Sequence, residues 1–133
     1  MKYLVDTNIV SELMRPRPNA GVVAWLSGQA RYALSAVSVD ESVFGLVRKE
    51  RYALLTGYEQ FLAERCTVLP VTEDIARRAG TLRGQFARLG IVRSQPDMLI
   101  AATAQAHNLT LVTRNTRDFE GCGIGLLNPF EHP

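Results

Sequence analysis

Tyr3-Leu4-Val5-Asp6-Thr7-Asn8 decides how the rest of the chain is read: three apolar residues run straight into an acid, a hydroxyl and an amide. The triplet has the pattern of a short buried strand, and the small polar residues turn the chain into a helix. That helix is expected over about Ile9 to Met14 and has to stop before Pro16, since the residue preceding a proline is pushed out of the helical region. The same handover recurs downstream. Tyr32-Ala33-Leu34-Ser35 predicts a second strand, followed by a helix from about Val39 to Lys49. Thr67 to Val71 predicts a third, Leu109-Thr110-Leu111-Val112-Thr113 is the clearest, and Gly125-Leu126-Leu127 is a short last one. Further helices fit Ala20 to Ser27, Tyr52 to Glu64, Glu73 to Leu89 and Gln95 to His107, the last apolar nearly all round. Short apolar strands alternating with helices predict an α/β fold with a parallel sheet covered on both faces.

A chain of 133 residues, without repeats or low-complexity linkers, is expected to form one domain over 1–133. Hydrophobic residues at 47% and charged residues at 21% exclude a disordered or collagen-like chain. No apolar run approaches the roughly 18 residues that cross a bilayer, and Asp6 interrupts any secretory leader, so a soluble intracellular protein is expected. Cys66 and Cys122 lack ligand or redox spacing and read as two reduced thiols. The net charge of +2 conceals thirteen Arg against two Lys. Between Asp74 and Asp97 stand Arg77, Arg78, Arg83, Arg88 and Arg93 without an acid. Such a run is either a solvated helix face or a phosphate-binding surface, which needs cations whose field nothing cancels.

Ligands of open α/β sheets bind beyond the carboxyl ends of the strands, and polar residues at four such places stand out. Asp6 ends the first strand, Glu41 opens the helix after the second, Asp97 opens the apolar helix, and Asn115 with Asp118 follows the clearest strand. Three have a structural alternative. Ser38-Val39-Asp40-Glu41 and Ser94-Gln95-Pro96-Asp97 match capping boxes, and Asn115-Thr116-Arg117-Asp118 is a third candidate cap. Asp6 is harder to explain away, because an acid directly after an apolar strand gains nothing from packing. If the acids converge, two carboxylates about 4 Å apart repel by roughly 4 kcal/mol at an effective dielectric near 20, so the cluster must protonate in part or hold a cation. All-oxygen donors favour Mg²⁺ or Mn²⁺, which activates water and neutralises charge on a phosphoryl oxygen. Phosphodiester hydrolysis uses all of these parts.

These segments resemble PIN-domain ribonucleases, especially the VapC-type toxins of bacterial toxin–antitoxin pairs. The opening segment through Leu13 resembles the family's first motif, and Leu34-Ser35-Ala36-Val37-Ser38-Val39-Asp40-Glu41-Ser42-Val43-Phe44-Gly45 the second. Pro96-Asp97-Met98-Leu99-Ile100-Ala101-Ala102-Thr103-Ala104 resembles the third, and Leu111-Val112-Thr113-Arg114-Asn115-Thr116-Arg117-Asp118-Phe119 the fourth. The resemblance implies a three-layer α/β/α sandwich around a central parallel sheet and a Mg²⁺- or Mn²⁺-dependent endoribonuclease acting in the cytoplasm. It implies that Asp6 and Asp97 are metal ligands and that Glu41 is a third ligand or positions the water. Asn115 stands where many members carry an aspartate, so Asp118 is the candidate to complete the catalytic set. An antitoxin partner is implied, seated near the second and third helices and sending a basic side chain into the pocket. A homodimer is expected, with DNA reached only through the antitoxin.

Lesser candidates each carry two readings. Asn8, Thr7 and Ser38 either hydrogen-bond a metal's waters or turn and cap the chain. Helix neighbours point about 100° apart, so Asp40 and Glu41 are not expected to face one metal together; the resemblance aligns Glu41 with the motif and leaves Asp40 on the surface. Arg83, Arg88 and Arg93 are the candidate RNA-binding cations. His107 suits a helix C-terminus, and His132, nearly terminal, is expected to be mobile. Trp25, Leu26, Tyr52, Leu55, Tyr58 and Phe61 read as core. A haloacid-dehalogenase-type phosphatase would need an acid where Asn8 stands, and no GxGxxG supports dinucleotide binding. A PIN-fold module that binds RNA or a partner with weakened chemistry is the alternative.

Overall fold

The computed structural model describes residues 1–131; His132 lies outside the described residues. Its centre is a five-stranded sheet of β1 (Tyr3–Val5), β2 (Tyr32–Ser35), β3 (Cys66–Leu69), β4 (Thr110–Val112) and β5 (Leu126–Leu127). All pairings are parallel and the spatial order is β3-β2-β1-β4-β5. The helices are α1 (Thr7–Leu13), α2 (Ala20–Ser27), α3 (Ala36–Arg48), α4 (Tyr52–Arg65), α5 (Glu73–Arg88) and α6 (Gln95–His107), with 3₁₀ turns at Thr116–Phe119 and Pro129–Glu131.

Strand periodicity explains the layering. Leu4, Ala33 and Leu111 face one side of the sheet, against Ile75 and Leu82 of α5 and Met98 and Ile100 of α6. Their neighbours Val5, Leu34 and Val112 face the other, against Ile9 of α1, Val22 and Trp25 of α2 and Tyr58 of α4. The expected three-layer sandwich is therefore observed. From β1 the chain steps outward through β2 to β3, whereas β4 and β5 lie on the other flank of β1. That reversal opens a crevice at the carboxyl ends of β1 and β4, where the register pairs Val5 with Val112.

Several boundaries differ from expectation for identifiable reasons. α1 begins at Thr7 rather than Ile9, because the Asp6 carboxylate accepts from the Thr7 amide at 2.8 Å. α3 begins at Ala36 rather than Val39: the Ser35 hydroxyl caps it, accepting from the Val37 amide at 3.0 Å. The capping box of Ser38 and Glu41 therefore does not form, and Ser38 is buried in the first turn of α3. β3 ends at Leu69 because Pro70 has no amide hydrogen for the ladder. Trp25, Leu26 and Tyr58 are core, Leu55 and Phe61 are half-buried, but Tyr52 is 56% exposed at the open start of α4. Both cysteines are buried free thiols, and burial pushes Cys66 up to about 11, which makes it inert.

Two non-glycine residues adopt left-handed backbone. Asn108, φ 52°, closes α6, and asparagine tolerates this conformation. Glu50, φ 55°, closes α3: its amide donates to Val47 O at 3.0 Å while the Arg51 amide donates to Leu46 O at 2.9 Å. Glutamate lacks asparagine's local compensation there. Glu50→Gly is expected to raise the urea midpoint, with a gain of at most about 1 kcal/mol once glycine's greater freedom in the unfolded chain is subtracted.

Candidate active site

Asp6 leaves β1 at the mouth of the crevice and is only 5% exposed. Its amide continues the ladder, donating to Val112 O at 2.8 Å, which holds the carboxylate beside the end of β4. One carboxylate oxygen accepts from the Thr7 amide, and the other accepts from the Thr113 hydroxyl at 2.8 Å and from Asn8 Nδ2 at 3.3 Å. Asn8 is fixed in turn, since its Oδ1 accepts from the Arg114 amide at 3.2 Å. Asn8 and Thr113 thus orient the acid. Sequence reasoning does not single out Thr113; a hydroxyl ending a β-branched strand is the only signal, and its meaning depends on the pairing of β4 with β1.

Glu41 approaches from α3 and is exposed at its tip. Thr7 links the two elements, with its hydroxyl 2.7 Å from Glu41 Oε1 and 2.9 Å from Ser38 Oγ. A hydroxyl has one hydrogen, so Thr7 donates to the carboxylate and accepts from Ser38. Ser38 therefore supports the site from beneath and does not cap a helix. Asp97 enters on the first turn of α6, where Ser94 does cap, accepting from the Asp97 amide at 3.2 Å. Pro96 sits in that same turn, as expected.

Asp118 and Asn115 are exposed on the segment after β4. The Asn115 side chain makes no capping bond to the 3₁₀ turn, so the third proposed cap is not formed. Instead the Asn115 amide donates to the Thr113 hydroxyl at 3.1 Å. Asp40 lies on the surface, and His107 is exposed in the last turn of α6.

Asp6 and Asp97 each feel neighbouring acids. Burial pushes Asp6 from its ordinary 3.8 up to about 6, partly opposed by the bonds from Thr113 and Thr7 and reinforced by Asp97 and Glu41. Asp97 is also raised, chiefly by burial; the Ser94 bond lowers it, Asp118 and Glu41 raise it, and Arg93 lowers it. Among the described residues no three His, Cys, Asp or Glu side chains stand close enough, as placed, to enclose an ion by themselves.

The arginine run is less free than its sequence implies. Arg77 pairs with Glu73 and Arg78 with Asp74, each at 2.9 Å and one helical turn apart, which cancels part of the field expected of an acid-free stretch. Arg83 and Arg88 are exposed and make no ion pair among the described residues. Arg93 lies over the Phe86 ring at 4.3 Å and donates to the carbonyls of Asp118 and Glu120, so it fastens the segment bearing Asp118.

The PIN domain family matches residues 3–122. This chain belongs to the PIN-domain family. The VapC ribonuclease Y4jK of Sinorhizobium fredii is 35% identical to this PIN domain over 136 aligned positions, covering 96% of this chain and 97% of that protein. The FitAcB crystal structure from Neisseria gonorrhoeae contains a chain 35% identical that superposes with a TM-score of 0.86, covering 97% of this chain and 99% of that one. A toxin–antitoxin complex from Klebsiella pneumoniae contains another at 30% identity and TM-score 0.78, covering 96% and 98%. The likeness to VapC-type toxins expected from the four motifs is borne out over nearly the full length.

The raised Asp6 carboxyl gives this PIN domain a definite pH profile. Its folded-state pKa exceeds the unfolded one, so its contribution is full below about pH 4 and is lost as pH rises through about 6. In chelator, the urea-unfolding free energy is expected to fall by about 3 kcal/mol between those limits, since a tenfold change in proton affinity is worth about 1.4 kcal/mol. Asp6→Asn should flatten the profile; a flat wild-type profile would show that the carboxylate is not desolvated.

Proposed function

We propose that this chain is the toxin of a toxin–antitoxin pair and hydrolyses phosphodiester bonds in RNA at the pocket formed by Asp6, Glu41 and Asp97, with Asp118 at its rim. One observation carries the reading: a buried carboxylate at the sheet's switch point, its pKa raised to about 6, lies within electrostatic reach of two further acids from separate helices. Packing gives no reason to bury Asp6 there, and capping α1 uses only one of its two oxygens.

The donor set fits a hard dication. Every candidate ligand is an oxygen, and Asp6 is held by neutral donors, with no cation bonded to it to satisfy its charge. A closed cage of three carboxylates is not required, because Mg²⁺ commonly takes one or two carboxylates and completes its shell with water and substrate phosphate. Asp6 and Asp97 are the proposed ligands, with Glu41 as a third or as the group that orients water, and the ion is Mg²⁺ or Mn²⁺. When bound, it supplies Lewis acidity toward water and the phosphoryl oxygens.

The protein's own groups do the rest. Thr113 and Asn8 hold Asp6 in one rotamer, and Thr7 aims Glu41 across the crevice. Glu41 is exposed, which suits it to take a proton from the attacking water. The water oxygen forms a bond to phosphorus and one ester P–O bond breaks; the departing oxygen takes a proton from solvent and leaves as a hydroxyl, while Glu41 returns its proton to solvent. Asn115 can accept a hydrogen bond but brings no charge, so Asp118 is the proposed fourth acid.

No helix among the described residues is long and apolar enough to cross a membrane. We assign the protein to the cytoplasm, where RNA and a co-expressed antitoxin meet it, and any DNA contact to that antitoxin. For the homodimer we assign the outer face of α3, where exposed Phe44 and Val47 lie between Asp40 and Arg48. Antiparallel packing of two such helices sets each Asp40 near the other copy's Arg48.

Mn²⁺ is expected to raise the melting temperature of the wild type at neutral pH and to support cleavage of single-stranded RNA. Asp97→Asn should fold, gain less from Mn²⁺ and lose cleavage by 10²-fold or more, about the effect of removing one charge-stabilising group. Equal cleavage by Asp97→Asn in saturating metal would remove the pocket from the chemistry.

A further inference from the structure

Glu41 faces more than the acidic pocket. It also lines a cleft of about 360 Å³ between α1, α3 and the start of α4. Arg15 enters this cleft from the segment after α1, while Lys49 and Arg51 enter from the α3–α4 connection; Ser42 and Leu54 complete much of the wall. Glu41 is the one acid among its lining residues, so three cations face a single carboxylate.

The cations are positioned by specific structure. Arg15 is held by buried Glu12 at 3.2 Å, whose other oxygen accepts from the Asn19 amide at 2.9 Å. Lys49 and Arg51 flank Glu50, whose left-handed backbone closes α3. That turn sends the two cations into the cleft and leaves the intervening acid out of its lining. Their side chains make no hydrogen bond or ion pair among the described residues. Ser42, 6% exposed, has its hydroxyl oxygen buried beside the Tyr58 phenol, so it forms part of the wall and offers the cleft no free donor.

We infer that this cleft holds the sugar–phosphate backbone of single-stranded RNA on one side of the bond to be cut, with Lys49 and Arg51 binding its phosphates. The inference rests on the nuclease reading of Glu41. The cleft joins that residue directly to unpaired cations. Phosphate contacts of this kind set register and carry no base preference, as an enzyme needs when a separate feature chooses the sequence. Arg83 and Arg88 on α5 are also exposed and unpaired among the described residues, but neither lines this cleft. The inference places these phosphate contacts on the α1–α3 side and not along the arginine run of α5.

The test compares wild type, Lys49→Gln/Arg51→Gln and Arg83→Gln/Arg88→Gln, binding a short fluorescein-labelled mixed-sequence RNA in chelator across a salt series. Loss of two phosphate contacts should lower the log–log salt slope of the cleft variant by about 1.4, at roughly 0.7 per contact for single strands. Carried to a 1 M reference, the same slope weakens binding about 25-fold near 0.1 M salt. Lys49→Arg should keep the wild-type slope, and the Arg83→Gln/Arg88→Gln variant should stay close to it. An unchanged slope in the cleft variant, or the loss appearing only in the α5 variant, overturns the inference. So does an unchanged slope with lost capture of a co-expressed antitoxin, which would assign the cleft to a protein segment. If Mn²⁺-dependent cleavage persists and still disappears in Asp97→Asn, those outcomes leave the nuclease reading standing. Wild type that neither binds nor cuts RNA ends both.

Discussion

A carboxylate taken out of water must find donors or give up its charge, and Asp6 does some of each. The Thr7 amide, the Thr113 hydroxyl and the Asn8 amide group reach its two oxygens, yet burial still raises its pKa to about 6. The bond to Thr113 joins residues 107 positions apart, so it exists only when β1 and β4 pair in register. Strand order, helix start and site geometry therefore depend on one another. Slipping β1 by one residue would turn Val5 and Asp6 to the wrong faces and lose core and site together.

The other acids follow from the same reversal in strand order. Glu41 comes from the helix after β2, Asp97 from the helix before β4, and Asp118 from the segment after β4. Each is anchored by a short polar neighbour or backbone contact, and none is paired with a cation by a salt bridge among the described residues. Their fields add, which makes the crevice costly in isolation and attractive to a positive charge. A toxin can use this in two ways, since the same field that favours a dication also favours a basic side chain from an inhibitor.

The cations complement that arrangement without forming salt bridges to these acids among the described residues. Those of α5 are partly neutralised by Glu73 and Asp74 or engaged with backbone and ring, whereas Lys49 and Arg51 stay unpaired beside Glu41. A polyanionic strand needs both signs: cations to hold the flanking phosphates, and acids whose charge is offset at the phosphate to be cut. The strained backbone at Glu50 is consistent with such a use, because it positions two charges at a cost in stability.

Much of this was legible in the sequence. The order of strands and helices, the three principal acids and the Ser94 cap follow from local periodicity and from residues placed where strands give way to helices. Ser35 and Ser38 lie three residues apart and either could cap α3; the contact of Ser38 with Thr7, a partner 31 residues away, decided between them. Thr113 carried only a weak local signal, a hydroxyl ending a β-branched strand, because its role is to face a residue from the other end of the chain. The arginine run was legible only in part: Arg77 and Arg78 are paired with acids just outside the run, which the helix brings within reach one turn away. Local sequence determines which conformations each segment prefers and which groups it offers. Which groups meet is decided by sheet order and register, since electrostatic and hydrogen-bonding energies depend on distances that only the folded chain defines.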